Sequence, residues 1–392
     1  MFENMPVITK QEIEDALHFA TEQIINNLPA FTYQFEKAYS ENNFYEPVEN
    51  TDWTAGFWTG QIWLAYEYAK ACGESGADAL RQAGEIQVES FLERIEKKIA
   101  VEHHDMGFLY SPSCVAAYKL TGSSKGRDAA ILAARQLITR YQPVGRFIQA
   151  WGGMDEPENY RLIIDCLLNL PLLYWTSKET GEEIFRNIAI EHTHTAMQNV
   201  VREDFSTWHT FYFDSVTGKP QRGATCQGYR DGSAWARGQA WGIYGSALAY
   251  KYTQNEEYIE KFRGVTDYFL NHLPTDMVPY WDLEFTDGSG QPRDSSSASI
   301  AACGMLEMGQ HLVKEEAAVY KRYVGQIMKS LYQSYAVKDP SASNGLVLHS
   351  TYSNHSPYNT CNHYGVDECN SWGDYFYMEA LTRLQGEWDP YW

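Results

Sequence analysis

The sequence predicts an all-α fold: an (α/α)6 barrel of six helical hairpins, arranged as an inner and an outer ring and forming one domain over residues 1–392. Three observations carry that expectation. Apolar residues recur at helical spacing in about twelve segments separated by Gly, Pro and polar breaks. The links between those segments alternate between short and long, and short links favour antiparallel neighbours. The composition of the segments alternates in the same rhythm.

In chain order the helices fall at 10–28, 57–71, 78–98, 108–121, 126–141, 161–178, 181–200, 236–252, 256–273, 296–312, 316–335 and 371–385. Odd members of this series are charged and amphipathic, as in EEYIEKFRGVTDYFLNHL and EEAAVYKRYVGQIMKSLYQSY. Even members are apolar or aromatic nearly all round, as in RLIIDCLLNLPLLYW, WARGQAWGIYGSALAY and SASIAACGMLEMGQHL. A helix apolar on every side belongs inside, and one with a single apolar stripe belongs on the surface. The links 72–77, 122–125, 179–180, 253–255 and 313–315 are short. The links 29–56, 99–107, 142–160, 201–235, 274–295 and 336–370 are mostly long, and in a barrel they emerge at one end as the rim of a pocket. Within them, HTFYFDSVTGKPQRG reads as a β-hairpin and MVPYWDLEF as a strand. An open α-solenoid would show a fixed repeat motif, and none is present.

The composition narrows the function. With 31 Lys+Arg against 51 Asp+Glu the formal charge is −20, which disfavours nucleic acid and anionic membrane surfaces as partners. No stretch approaches the roughly 20 apolar residues of a membrane span. The N-terminal MFENMPVITKQEIEDALHFA has neither the basic nor the apolar region of a secretory signal. Seven scattered cysteines make a disulfide framework improbable and suit a reducing cytoplasm. Twelve Trp, 28 Tyr and 17 Phe leave the chain unusually aromatic.

The residues with chemical potential gather at the starts of the even helices. Asp165 follows two Ile and precedes Cys-Leu-Leu on a helix expected to be buried. An isolated carboxylate there holds its proton more tightly, which is what a general acid needs near neutral pH. The bland alternative is a cap or a pair with Arg161 one turn back. Asp105, beside His103 and His104, is either the second carboxylate of a glycosidase-type pair or an N-cap. Trp53, Trp151, Trp235 and Trp241 offer sugar-stacking surface, against the alternative of core packing. Arg237 on a buried helix must meet an acid, either a protein carboxylate or an anionic substrate. Cys361, His363 and Cys369 are three irregularly spaced ligand types and make a weak metal site. No P-loop or G-x-G-x-x-G motif occurs.

NTDWTAGFWTG, HHDMGFLY, IQAWGG, RLIIDCLLNLPLL, WHTFYFD, DGSAWARGQAWGIYG, RDSSSAS and WGDYFYMEAL together resemble glycoside hydrolase family 88, the unsaturated glucuronyl hydrolases. The resemblance spans nearly the whole chain and implies the same (α/α)6 barrel. It implies hydration of the vinyl ether in a 4,5-unsaturated uronic acid at the non-reducing end of lyase-derived glycosaminoglycan oligosaccharides. It implies Asp165 as general acid/base and Asp105 as the second carboxylate. His104, Trp53, Trp151, His209, Gln227, Trp235, Arg237 and Trp241 match residues that contact the sugar. Ser353 and Ser356 match a loop that supports sulfated substrates in some members through two Ser and a Lys, and Tyr358 stands where that Lys would be. Ala55 and Cys226 also depart from the family pattern. The implied partner is a small oligosaccharide, with no cofactor, metal, nucleic acid or membrane, for a monomer or homodimer. The alternatives are a pectin-directed unsaturated rhamnogalacturonyl hydrolase, a helical-barrel epimerase with a His acid/base pair, or a non-catalytic sugar-binding barrel.

Overall fold

The computed structural model describes residues 5–392. Helices follow one another as α1 (Lys10–Phe31), α2 (Ala55–Cys72), α3 (Ala77–Glu96), α4 (Met106–Tyr110), α5 (Ala116–Thr121), α6 (Ser124–Ile138) and α7 (Cys166–Asn169). They continue as α8 (Pro171–Thr180), α9 (Glu183–Val200), α10 (Ala236–Thr253), α11 (Glu257–Asn271), α12 (Ser295–Gly309), α13 (Lys314–Ser330) and α14 (Ser371–Gln385). The inner ring runs α2, α4–α5, α7–α8, α10, α12 and α14, each packed on the next, and it closes where α14 meets α2. The remaining helices lie outside, so the burial alternation read from composition is the architecture. None of the described helices is long and apolar enough to cross a membrane.

The short links share a device. After α2, α5 and α8 the chain turns on Gly73, Gly122 and Gly181 at φ of 72°, 74° and 76°, the left-handed conformation that ends a helix and reverses it within a few residues. The predicted helix 108–121 is interrupted by a single π turn, Ser111–Val115, where Pro112 supplies no N–H to the ladder.

Two expectations need correction. The helix predicted over 161–178 begins only at Cys166, because Arg161–Ile163 is a β-strand paired antiparallel with Thr210–Phe213. Arg161, Leu162, Ile163 and Ile164 alternate between half-buried and buried, the period of a strand. Arg161 is therefore not one helical turn from Asp165. The segment MVPYWDLEF forms only isolated bridges, Trp235 with Asp282 and Tyr280 with Arg293. The predicted hairpin is present, with Thr210–Phe213 against Pro220–Ala224.

The rim is tied down by buried cations. Arg94 of α3, 1% exposed, donates to Asn50 Oδ1, the carbonyls of Thr51 and Asp52 in one rim loop, and those of Ile99 and Ala100 in the next. Replacing it removes five hydrogen bonds, one of them to the buried Oδ1 of Asn50. Arg94→Met is expected to destabilise the fold by about 3 kcal/mol, read as a lowered urea midpoint, and an unchanged midpoint would show that the rim does not depend on it.

Candidate active site

The long links meet over the N-terminal ends of the inner helices and enclose a cavity of about 450 Å³. Trp53, Asp105, Trp151, Asp165, His209 and Gln227 line it, drawn from four different links. Asp105 immediately precedes α4 and Asp165 immediately precedes α7, both at N-cap positions, yet neither side chain caps its helix. Their carboxylates turn towards the cavity instead. Asp105 is 2% exposed in its side chain and Asp165 16%.

What brings the two carboxylates together is a close approach of backbones. A Cβ on Gly107 would lie 2.3 Å from the Cα of Asn169, so α4 and α7 touch where only glycine fits. Asn169 completes the joint. Its Oδ1 accepts from the Phe108 N–H at 2.8 Å and its Nδ2 donates to the Asp165 carbonyl at 3.3 Å. One residue thus holds the segments carrying both acids.

His104 lies between them, with Nε2 3.3 Å from Asp105 Oδ1 and 3.5 Å from Asp165 Oδ1. The side-chain atoms of the trio converge within 4.8 Å of one another. Burial, followed by the charge of Asp105, pushes Asp165 well above the ordinary carboxylate range. Burial raises Asp105 too, but the adjacent His104 and His103 outweigh it and hold its carboxyl below that range. Burial lowers His104 to about 4 and His209 to about 3, so both imidazoles are neutral at physiological pH. The site therefore offers one carboxylic acid, one carboxylate and neutral donors, an acid–base pair split by environment. Outside this trio, no cluster of three His, Cys or carboxylate groups with ligand spacing occurs among the described residues, and Cys361, His363 and Cys369 do not form one.

The other sequence candidates divide. Arg237 meets a protein carboxylate, Asp294, at 2.9 Å, and also holds the carbonyls of Thr351 and Tyr352. Its Nη2 donates to Gln227 Oε1 at 2.7 Å, so it orients a cavity residue while lying buried behind it. Trp235 stands nearly perpendicular to the His209 ring and lies under the Arg237 guanidinium. Trp241 is 1% exposed and sits among Phe108 and Phe376 in the core. Ser353 Oγ donates to the Asn362 carbonyl and Ser356 Oγ to the Tyr229 carbonyl, and neither residue lines the cavity.

Sequence reasoning passed over Tyr352, whose hydroxyl accepts from Trp53 Nε1 at 3.1 Å on the cavity wall. It treated Arg161 only as a partner for Asp165, whereas Arg161 is the one cation among the lining residues. Asn169, four residues after Asp165, carried a signal in being the one polar side chain of an apolar run. Gly107→Ala is expected to force α4 and α7 apart and cut kcat by about a hundredfold, since a misplacement near 1 Å has that cost. Steady-state kinetics on the folded variant test it, and wild-type kcat would refute the joint.

A model of Glycosyl Hydrolase Family 88 matches residues 28–384. The unsaturated chondroitin disaccharide hydrolase of Streptococcus pneumoniae is 46% identical over 393 residues, covering 100% of this chain and 96% of the relative. A crystal structure of unsaturated glucuronyl hydrolase from Streptococcus agalactiae superposes with a TM-score of 0.94 at 47% identity, covering 100% of this chain and 96% of that one. A mutant of the same enzyme complexed with dGlcA-GalNAc6S matches with a TM-score of 0.86 at 44% identity and the same coverage. With two carboxylates on one cavity of a helical barrel and a family match over most of its length, the chain belongs to glycoside hydrolase family 88.

Proposed function

We propose that this chain, as a single catalytic domain, is an unsaturated glucuronyl hydrolase acting on the lyase products of chondroitin and hyaluronan. The observation that carries the reading is the pair of carboxylates at one cavity wall, one pushed above its ordinary range and one held below it. Asp165 delivers its proton to C4 of the 4,5-unsaturated sugar. Positive charge then develops at C5 and the ring oxygen, facing the ionised Asp105. Asp165, now a carboxylate, takes a proton from the water that adds at C5. The resulting hemiketal opens, the glycosidic oxygen leaves with a proton, and the shortened sugar is released. Trp53 and Trp151 supply stacking surface, while His104, His209 and Gln227 supply hydrogen bonds in the cavity. Trp235, Trp241 and Arg237 support those groups from behind.

An epimerase would need a histidine acid, and both imidazoles of this site are held neutral by burial. That favours the carboxylate chemistry. The seven cysteines are all free, which supports a reducing, cytoplasmic location.

The loop at 353–358 supports a preference for unsulfated substrates. The Ser353 and Ser356 hydroxyls are occupied by backbone carbonyls, and Tyr358 is 62% exposed against Tyr229. Unsulfated chondroitin disaccharide is expected to exceed its 6-sulfated form in kcat/KM by about tenfold. Equal or reversed values in parallel assays would reject this preference.

The main test follows loss of near-ultraviolet absorbance from the conjugated double bond. Asp165→Asn is expected to lose about 10³-fold in kcat. The wild-type rate should fall as pH drops and Asp105 is protonated. It should also fall as pH rises through the elevated range where Asp165 loses its proton. Turnover that survives in Asp165→Asn would remove the assignment.

A further inference from the structure

One wall of the cavity is a three-stranded sheet of Arg161–Ile163, Thr210–Phe213 and Pro220–Ala224. Residues opposite one another on paired strands share a face. Ile163, Thr210 and Ala224 form one such row, and Arg161, Tyr212 and Arg222 form the next. The first row lines the cavity, as do Arg161 and Tyr212 of the second, while Arg222 is exposed at the far edge. Asp165 follows Arg161 by four residues, so this face leads from the proposed acid out to solvent.

The second row gathers two cations on one aromatic ring. The guanidinium carbons of Arg161 and Arg222 lie 5.8 and 4.2 Å from the centroid of Tyr212. Arg161 donates through Nη1 to Asn159 Oδ1 at 2.7 Å and to the Glu158 carbonyl at 3.3 Å. Among the described residues neither guanidinium has a carboxylate at ion-pairing distance, whereas Arg135, Arg230 and Arg263 each have one. The chain holds 51 acids against 31 bases, so protein carboxylates are not scarce. Two cations on one ring repel each other, and an anion shared by both removes that repulsion. A planar guanidinium fork fits the two oxygens of a carboxylate. Beside them Trp151 is 37% exposed, and the Ala150 N–H that precedes it donates to the Arg161 carbonyl at 3.1 Å. Stacking surface and cation thus stand side by side at the mouth.

We infer that Arg161 and Arg222 form an anion subsite for the part of the substrate beyond the unsaturated sugar, and that its ligand is the carboxylate of a second uronic acid in a longer chain. The inference rests on the reading of the site as an unsaturated glucuronyl hydrolase. That reaction places the unsaturated unit against Asp165, and the rest of the oligosaccharide must run out towards solvent. Up to about 13 Å of extended chain separates Asp165 from Arg161, more than the length of one sugar ring. In unsulfated chondroitin and hyaluronan fragments the sugar next to the unsaturated unit is a neutral hexosamine, and the one after it is a uronate. A disaccharide therefore lacks the group that this subsite takes, and a tetrasaccharide carries it.

The test compares kcat/KM on unsulfated unsaturated chondroitin disaccharide and tetrasaccharide for wild type, Arg161→Gln, Arg222→Gln and the double variant. Wild type is expected to favour the tetrasaccharide by about tenfold, through a lower KM. Each single variant should reduce that ratio, and the double variant should bring it close to one. The disaccharide is each variant's own reference, so general damage to the fold cancels in the ratio. Added salt should erode the wild-type preference, because exposed cations are screened. A tetrasaccharide with neutral sugars after the unsaturated one should gain nothing over the disaccharide in any of the four proteins.

A wild-type ratio near one, a ratio that survives in the double variant, or an equal gain from the neutral tetrasaccharide would each overturn the proposal. A disaccharide sulfated at C4 of the hexosamine tests the other source of an oxyanion. If that substrate, and not the tetrasaccharide, loses rate in the double variant, the subsite takes sulfate and the carboxylate assignment falls. Turnover retained by Asp165→Asn would remove the reading of the whole site and this inference with it. Disaccharide turnover that depends on Asp165 without any preference for the longer chain would remove the subsite alone.

Discussion

Two carboxylates cannot both stay ionised when they share one imidazole and little water, and the rest of this structure is arranged around that constraint. In a medium of low dielectric the repulsion between like charges is large and local. The protein divides the pair by surroundings: Asp105 has His103 and His104 against it, and Asp165 has mostly buried apolar neighbours and the charge of Asp105. The division holds only if the separation is fixed, and Gly107 against Asn169 fixes it at the backbone. Because the acids stand just before α4 and α7, their spacing is set by the packing of two inner helices and not by a flexible loop.

The rim poses a second problem. The long links carry few strand ladders, so many of their carbonyls need other partners. Arginines provide them. Arg94 holds 50–52 to 99–100, Arg140 takes the carbonyls of Gln149 and Gly152 beside Trp151, and Arg237 takes those of Thr351 and Tyr352. Arg202 takes three more, from Asp231 to Ser233. A planar guanidinium with five donors suits this role better than a lysine does. In a chain of formal charge −20, Arg94, Arg140 and Arg237 are buried, and each holds backbone at or next to a cavity residue.

This explains what the sequence disclosed and what it withheld. Helical period and the alternation of apolar and amphipathic segments are local properties, and they revealed both rings and their order. Asp165 stood out because a carboxylate in an apolar run is conspicuous. Arg94 and Arg140 did not, because on outer helices they look like ordinary surface charges. The run Arg161–Ile164 misled because four residues of mixed apolar character fit a helix as well as a strand, and only its pairing with Thr210–Phe213 decides. Arg237 could have served substrate or protein, and its choice of Asp294 depends on a link fifty-seven residues away. The same limit applies to Trp241 and Trp53, which look alike in sequence but end in the core and on the cavity wall.

The aromatic richness follows from the same geometry. Phe108, three residues after Asp105, is packed among Trp53, Phe57, Trp241 and Trp392 at ring separations of 5.7, 5.3, 5.3 and 6.2 Å. Trp392 in turn stacks on Phe376 beneath the inner helices. A continuous column of rings thus runs from the cavity wall to the far side of the barrel core. Aromatic side chains bring large contact area with few rotamers, so such a column resists the small displacements that acid–base geometry cannot tolerate. Of the four tryptophans that suggest sugar platforms when read singly, Trp53 and Trp151 line the cavity, while Trp235 and Trp241 are buried support behind it.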